Sequence, residues 1–349
     1  MKSSDYFVKA YLGLDYSDLK AIDDLIGSIE AHLATHGSDT KLELTLHASK
    51  ARKEEELNSG FDKVCATAKL VVDKLKDQKD WDVFEFDIFC GVLGRIESYE
   101  LSIAMMEKSL DILERNFKNL SNYEYRKARI SGEMTWRLTR AKFHDNVDPQ
   151  KLKETFNMCF KSAMQVCEKL SLVALRTSLL VREAIFNENP TKILECVKAM
   201  EVTRDNYWIK SSKDEVVEYV RFLGDNVTID LHNFMLGWQT KKRRTELGLK
   251  TVELANMIGT SQNIMSEMER GAKGFGTLRL YQIAKALKVQ SMSYFYGEPL
   301  VSSAIATLDI HAYNAAHFVS ILPEEKDKEL AISLIKNLVD YSKDKEPQL

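Results

Sequence analysis

The chain has 349 residues, 44% of them apolar, and a formal net charge of −3, which allows two or three domains and excludes a uniformly basic nucleic-acid coat. No stretch approaches the roughly 18 apolar residues of a membrane span, and the opening MKSSDYFVKAYLGLDYSDLK lacks the apolar run of a secretory signal. Five cysteines, odd in number and without CxxC spacing, read as small buried hydrophobes in a reducing cytoplasm rather than as a disulfide or zinc framework.

Residues 1–230 read as helical nearly throughout. Only Pro149 and Pro190 occur there, and strand-like alternation is absent. Turn residues at 37–38, 78–80, 119–122, 146–149 and 187–190 separate helices of about 15 to 20 residues. The segment 97–112, ESYELSIAMMEKSLDI, resembles the second helix of a tetratricopeptide repeat (TPR). It carries the aromatic Tyr99, the small Ser102 and Ser109, and Leu110 at the expected offsets, with Gly94 upstream near the small position of a first helix. Comparable helix pairs start near Lys41, Trp81, Tyr123 and Leu172, a longer spacing than the about 34 residues of the standard repeat. The resemblance implies a degenerate, TPR-like stack of helix hairpins whose neighbours bury each other's apolar faces. Such a stack has a concave side. Asn157, Arg126, Arg129, Arg137, Arg140, Arg176 and Arg182 are candidates to line it and receive a peptide carboxylate. The alternative is that they form solvated faces or internal salt bridges.

Seven histidines are scattered, and only His32 and His36 have metal-ligand spacing, without a third ligand. No Walker loop, GxSxG, HExxH or paired-carboxylate motif is present. The expectation is a protein that is not an enzyme and holds no cofactor or metal.

The run 241–271, KKRRTELGLKTVELANMIGTSQNIMSEMERG, has helical periodicity in Leu247, Leu254, Ala255 and Ile258. Gly248, Gly259 and Gly271 end helices, and Ser261 stands where an N-cap belongs. The helix from Gln262 puts Met265 and Met268 inside. A further helix over 277–287 takes Leu278, Ile283, Ala284 and Leu287 as its buried set, and Tyr294 and Phe295 close the core with a last short helix. The motifs RRTELGL, ELANMIG, TSQNIMSEMERG and LYQIAKALKV, in this order, resemble the Cro/CI (XRE) family of helix-turn-helix regulators over 236–297.

That resemblance implies a lambda-repressor-like, five-helix domain from a bacterial or phage regulator, with its second motif helix in the major groove. By position it makes Gln262, Asn263, Ser266 and Glu267 the base readers. Their chemistry is suitable: Gln and Asn amides pair bidentately with adenine, and a Glu carboxylate accepts from the cytosine amino group. Ile264 either meets a thymine methyl or packs into the core. Several relatives pair the positions of Arg244 and Glu269 as a partly buried salt bridge. Lys241, Lys242 and Arg243 are phosphate candidates, and so are Lys273 and Arg279. Where relatives have a phosphate-anchoring Gln at the start of the first motif helix, this chain has Thr251 preceded by Lys250, which join the phosphate candidates through one hydroxyl donor and one added charge. Residues 237–298 carry 10 Lys+Arg against 5 Asp+Glu, so positive charge is concentrated where phosphates would lie.

After Pro299, two helices are expected over 304–321 and 323–341, the latter oily enough to dock or dimerise. The whole reads as all-α: a TPR-like helical domain (1–230) for sensing or interaction, an XRE-type domain (236–297) and a helical tail (300–349). The expected function is a cytoplasmic, homodimeric transcriptional regulator on an inverted-repeat operator in double-stranded DNA, with a peptide, protein or small ligand on the helical domain. Peptide-sensing regulators with such stacks carry the DNA-binding domain first; here it follows. The alternative function is an interaction scaffold with a weak DNA tether.

Overall fold

The structure, a computed structural model, describes residues 4–14, 18–56, 61–289 and 292–296. Among these residues the chain is all-α, with no strand. The expected tail helices and the domain at 300–349 lie outside the described residues. A division into two compact units falls between Met235 and Leu236.

The first unit opens with α1 (Ser4–Leu12), α2 (Leu19–His36), α3 (Thr40–Glu56) and α4 (Phe61–Leu75). α5 (Val83–Val92) passes into a 3-10 turn (Leu93–Arg95) and is followed by α6 (Tyr99–Phe117). Then come α7 (Tyr123–His144), α8 (Pro149–Lys169), α9 (Val173–Phe186), α10 (Pro190–Val202) and α11 (Asn206–Leu223). Local chemistry sets these boundaries. Asp82 accepts from the Glu85 N–H at 2.9 Å while the Glu85 carboxylate accepts from the Asp82 N–H at 2.8 Å, a reciprocal cap for α5. Asp148 and Asn189 cap α8 and α10, each followed by a proline at the first helical position, where no N–H is needed. Gly37, at φ 86°, ends α2 in a conformation that a side chain would strain.

Chain neighbours pack on each other: α3 on α2 and α4, α7 on α6 and α8, α9 on α10. Inside α6, Ser102 and Ser109 are buried, and their hydroxyls donate to the Tyr99 and Met106 carbonyls at 2.7 Å. Each small polar side chain is thus satisfied within its own helix. Gly94 sits in the 3-10 turn rather than in a helix. A Cβ there would lie 3.3 Å from Trp136 Cδ1 and 3.4 Å from Glu133 Oε2, so its lack of a side chain lets the turn approach α7. All five cysteines are free and buried, and all belong to this unit. Burial pushes the thiols of Cys65, Cys90 and Cys159 up to about 12 and that of Cys167 to about 11.

The proposed inner-surface arginines are mostly committed elsewhere. Arg126 pairs with Asp87 at 2.8 Å, Arg137 with Asp145 at 2.5 Å, Arg140 with Glu218 at 2.6 Å and Arg182 with Glu215 at 2.6 Å. Arg137 also donates to the Ile96 and Glu97 carbonyls, and Arg182 to the Gly132 carbonyl at 2.6 Å. The spacing that put 126, 137 and 140 on one side of α7 points that side inward, where guanidinium groups need carboxylates and carbonyls. Asn157 and Arg176 are exposed. Arg129 alone of this set is neither fully exposed nor hydrogen-bonded among the described residues.

In the second unit, α12 (Ile229–Glu246), which spans the division, is followed by α13 (Thr251–Met257), α14 (Gln262–Glu269), α15 (Thr277–Ala286) and a 3-10 turn (Met292–Tyr296). One apolar core joins them through Leu236, Leu254, Met265, Met268, Ile283 and Phe295. The expected last helix is thus a single 3-10 turn, with Tyr294 and Phe295 buried. One apolar assignment is corrected. Leu278 is 72% exposed and Leu280 is buried in its place. Leu280, Ile283, Ala284 and Leu287 follow the helical repeat of one face, and Leu278 falls off it.

No described helix is long and apolar enough to cross a membrane.

Candidate nucleic-acid interface

α13 and α14 are joined by the four residues 258–261, and glycines set the geometry on both sides. Gly248, Gly259 and Gly271 have φ of 68°, 66° and 71°, the left-handed conformation that closes a helix C-terminus. The Ser261 hydroxyl accepts from the Ile264 N–H at 3.3 Å and fixes where α14 begins. Met265 and Met268 anchor the inner face of α14, and Ile264 packs partly buried against the same core.

The outer face of α14 carries Gln262 and Asn263, both exposed, and Ser266 and Glu267, half-buried. Among the described residues, no hydrogen bond or ion pair engages these four side chains. Their donors and acceptors remain available to an external partner.

Behind this face lies a buried ion pair. Arg244 Nε donates to Glu269 Oε1 at 2.5 Å and Nη2 to Oε2 at 3.0 Å, a two-pronged contact from α12 to the last residue of α14. The remaining nitrogen, Nη1, donates to the Leu249 carbonyl at 2.6 Å. The guanidinium therefore ties three segments together.

Arg243 and Arg279 have similar inward engagements. Arg243 Nε donates to the Leu287 carbonyl at 3.2 Å, and its Nη1 lies 3.1 Å from the Glu246 carboxylate. Arg279 Nη1 donates to the Ile258 carbonyl at 3.1 Å. Leu287 and Ile258 are the C-caps of α15 and α13, where carbonyls lack helical partners. Both arginines thus close helix ends, with part of each guanidinium left over. Lys241 and Lys242 are half-buried on α12. Lys250 and Lys273 are exposed, and Thr251 opens α13 half-buried. The Lys250 N–H is satisfied by the Glu253 carboxylate at 2.6 Å, which leaves its ammonium in solvent.

One residue that the sequence reading passed over is Gly237. A Cβ at this position would lie 2.3 Å from the Met268 carbonyl oxygen and 3.0 Å from that of Glu269. α12 and the end of α14 therefore touch backbone to backbone. The signal was a glycine inside an otherwise helical pattern, which marks close approach.

No protein-family model matches the chain, and no solved structure does. A protein of Rhodospirillum rubrum, named as an uncharacterized transcriptional regulator in the ATPase CF(0) region, is 39% identical over 70 residues. The match covers 20% of this chain and 61% of that protein.

Proposed function

We propose that the chain is a sequence-specific, non-enzymatic transcriptional regulator that binds DNA through residues 236–297. In this reading the unit is lambda-repressor-like. α14 enters the major groove, and Gln262, Asn263, Ser266 and Glu267 read base edges. The observation that carries it is the outer face of α14: four polar side chains without internal partners, on a helix held from behind by Met265, Met268 and the Arg244–Glu269 pair. The name of the R. rubrum relative supports the regulatory part. Lys241, Lys242, Arg243, Lys250, Thr251, Lys273 and Arg279 supply phosphate contacts. A homodimer on an inverted repeat follows from two-fold matching of protein and operator. The TPR-like helical unit controls it by binding a ligand that discriminates between two arrangements.

The test is fluorescence anisotropy of the full-length protein on labelled DNA from upstream of its own gene, with unlabelled random DNA as competitor. The Gln262→Ala/Asn263→Ala double variant runs beside it at the same salt. Binding that survives competitor in the parent and is lost in the variant is the expected result. Equal binding of all sequences by both proteins overturns the assignment of α14.

The second reading, an interaction scaffold with a weak DNA tether, draws on the engagement of Arg243 and Arg279 with carbonyls, which thins the phosphate-binding set. It predicts no DNA affinity at moderate salt and a flat salt dependence, against the steep fall of a true phosphate binder.

A further inference from the structure

Four arginines stand between 236 and 296, and three of them are engaged within the unit. Arg243 and Arg279 donate to the Leu287 and Ile258 carbonyls, and Arg244 pairs with Glu269. The fourth, Arg270, is exposed, and among the described residues its guanidinium has neither a hydrogen bond nor an ion pair.

Arg270 is the C-cap of α14 and keeps helical dihedrals, φ −89° and ψ −1°. Its direction around the axis therefore follows that of the helix. At about 100° per residue it projects about 80° around from Gln262, between Ser266 at about 40° and Glu267 at about 140°. The buried Met268, at about 240°, lies nearly opposite. Arg270 thus stands in the middle of the outer face. A helical side chain leans toward its own N-terminus, which brings the guanidinium back toward the turn that carries Ser266 and Glu267. Among the described residues no ion pair joins it to Glu267, three positions earlier. The two charges share the face and cancel, so the face as a whole does not repel a polyanion, as Glu267 alone would.

We propose that Arg270 is a fifth base reader on α14 and selects a guanine in each operator half-site. A guanidinium fork matches the O6 and N7 acceptors on the major-groove edge of guanine. Eight residues separate Arg270 from Gln262, about 12 Å along the helix, so the guanine lies at the opposite end of the half-site from the base pair at Gln262. This role rests on the reading in which α14 enters the major groove, and it adds a base preference to that reading.

The experiment is selection of a randomised duplex library by the full-length protein, with sequencing of the bound DNA, for the parent, Arg270→Met and Arg270→Gln. The parent should enrich a half-site with a guanine at one end. Arg270→Met should lose the preference at that position alone and bind the enriched site at least about fivefold more weakly. Arg270→Gln should shift the same position from guanine to adenine, whose N6 and N7 suit an amide. Replacing the guanine by 7-deazaguanine, which lacks the N7 acceptor, should weaken the parent and leave Arg270→Met unchanged; the parent arm stands whether or not a variant folds. Identical preferred sites in all three proteins overturn the proposal. So does an equal loss on every sequence with a salt slope lower by about one, which is the mark of a phosphate contact. A parent that enriches no sequence removes the DNA-reading function and this role together. A parent that enriches a site indifferent to residue 270 removes this role alone.

Discussion

Arg244 and Glu269, 25 positions apart, face each other through two N–H···O contacts at 2.5 and 3.0 Å and are both nearly excluded from solvent. The pair fixes the end of α14 against α12. Removing one partner leaves the other charge buried and alone, which costs about 3–5 kcal/mol. Arg244→Met and Glu269→Gln should therefore each lower the stability of the second unit by that order in urea denaturation. The double variant Arg244→Met/Glu269→Leu should recover much of the loss. If each single variant melts with the parent, the pair does not hold the unit together.

Gly237→Ala places a methyl group 2.3 Å from the Met268 carbonyl oxygen. Backbone cannot swing aside as a flexible side chain can, so α12 and α14 must separate, at a cost of about 1–3 kcal/mol. Operator affinity should fall as well, although residue 237 is far from the proposed reading side chains in sequence. Anisotropy and thermal melting on the same sample check both effects; an unchanged melt excludes the close approach.

The basic residues should divide into two kinds. Lys273 is exposed without an internal partner among the described residues, so Lys273→Met should leave stability alone and reduce the salt slope of DNA binding by about one. Arg243 closes α15 through the Leu287 carbonyl, so Arg243→Met should lower the melting temperature first. A salt titration and a melt for each variant separate the two roles. The reverse pattern would show that Arg243 turns outward on DNA.

The helical unit should respond to mild acid through His47. Burial, then the nearby Lys74 and Lys50, hold its imidazole below the ordinary value of 6.5. Its Nδ1 is buried without a hydrogen-bond partner. The folded form therefore resists a proton that the unfolded chain accepts. Stability from this site is fully present above pH 6.5 and falls as pH drops below it. Urea midpoints between pH 7.5 and 5 should decline in the parent and decline less in His47→Gln. Parallel slopes would remove His47 as the cause.

The all-α class and those helix boundaries marked by turn residues were legible because they rest on local chemistry. Asp148–Pro149, Asn189–Pro190, Ser261 and the glycines at 248, 259 and 271 each act within a few residues of themselves. The outward set on α14 was legible for a related reason: once Met265 and Met268 face inward, periodicity leaves Gln262, Asn263, Ser266 and Glu267 outside. Long-range contacts were not legible. Nothing near Arg137 announces the Ile96 carbonyl, and nothing near Gly237 announces Met268. Leu278 is oily but lies off the angle of the buried face of its helix, which Leu280 satisfies instead.

The placement of the five buried cysteines gives the protein an internal stopwatch. All lie in the first unit, so a thiol-alkylating reagent added to the native protein can modify them only as fast as that unit opens. The second unit up to its last described residue has no thiol and stays silent. Labelling rates with and without DNA would therefore time the breathing of the helical half alone, without introducing any reporter group.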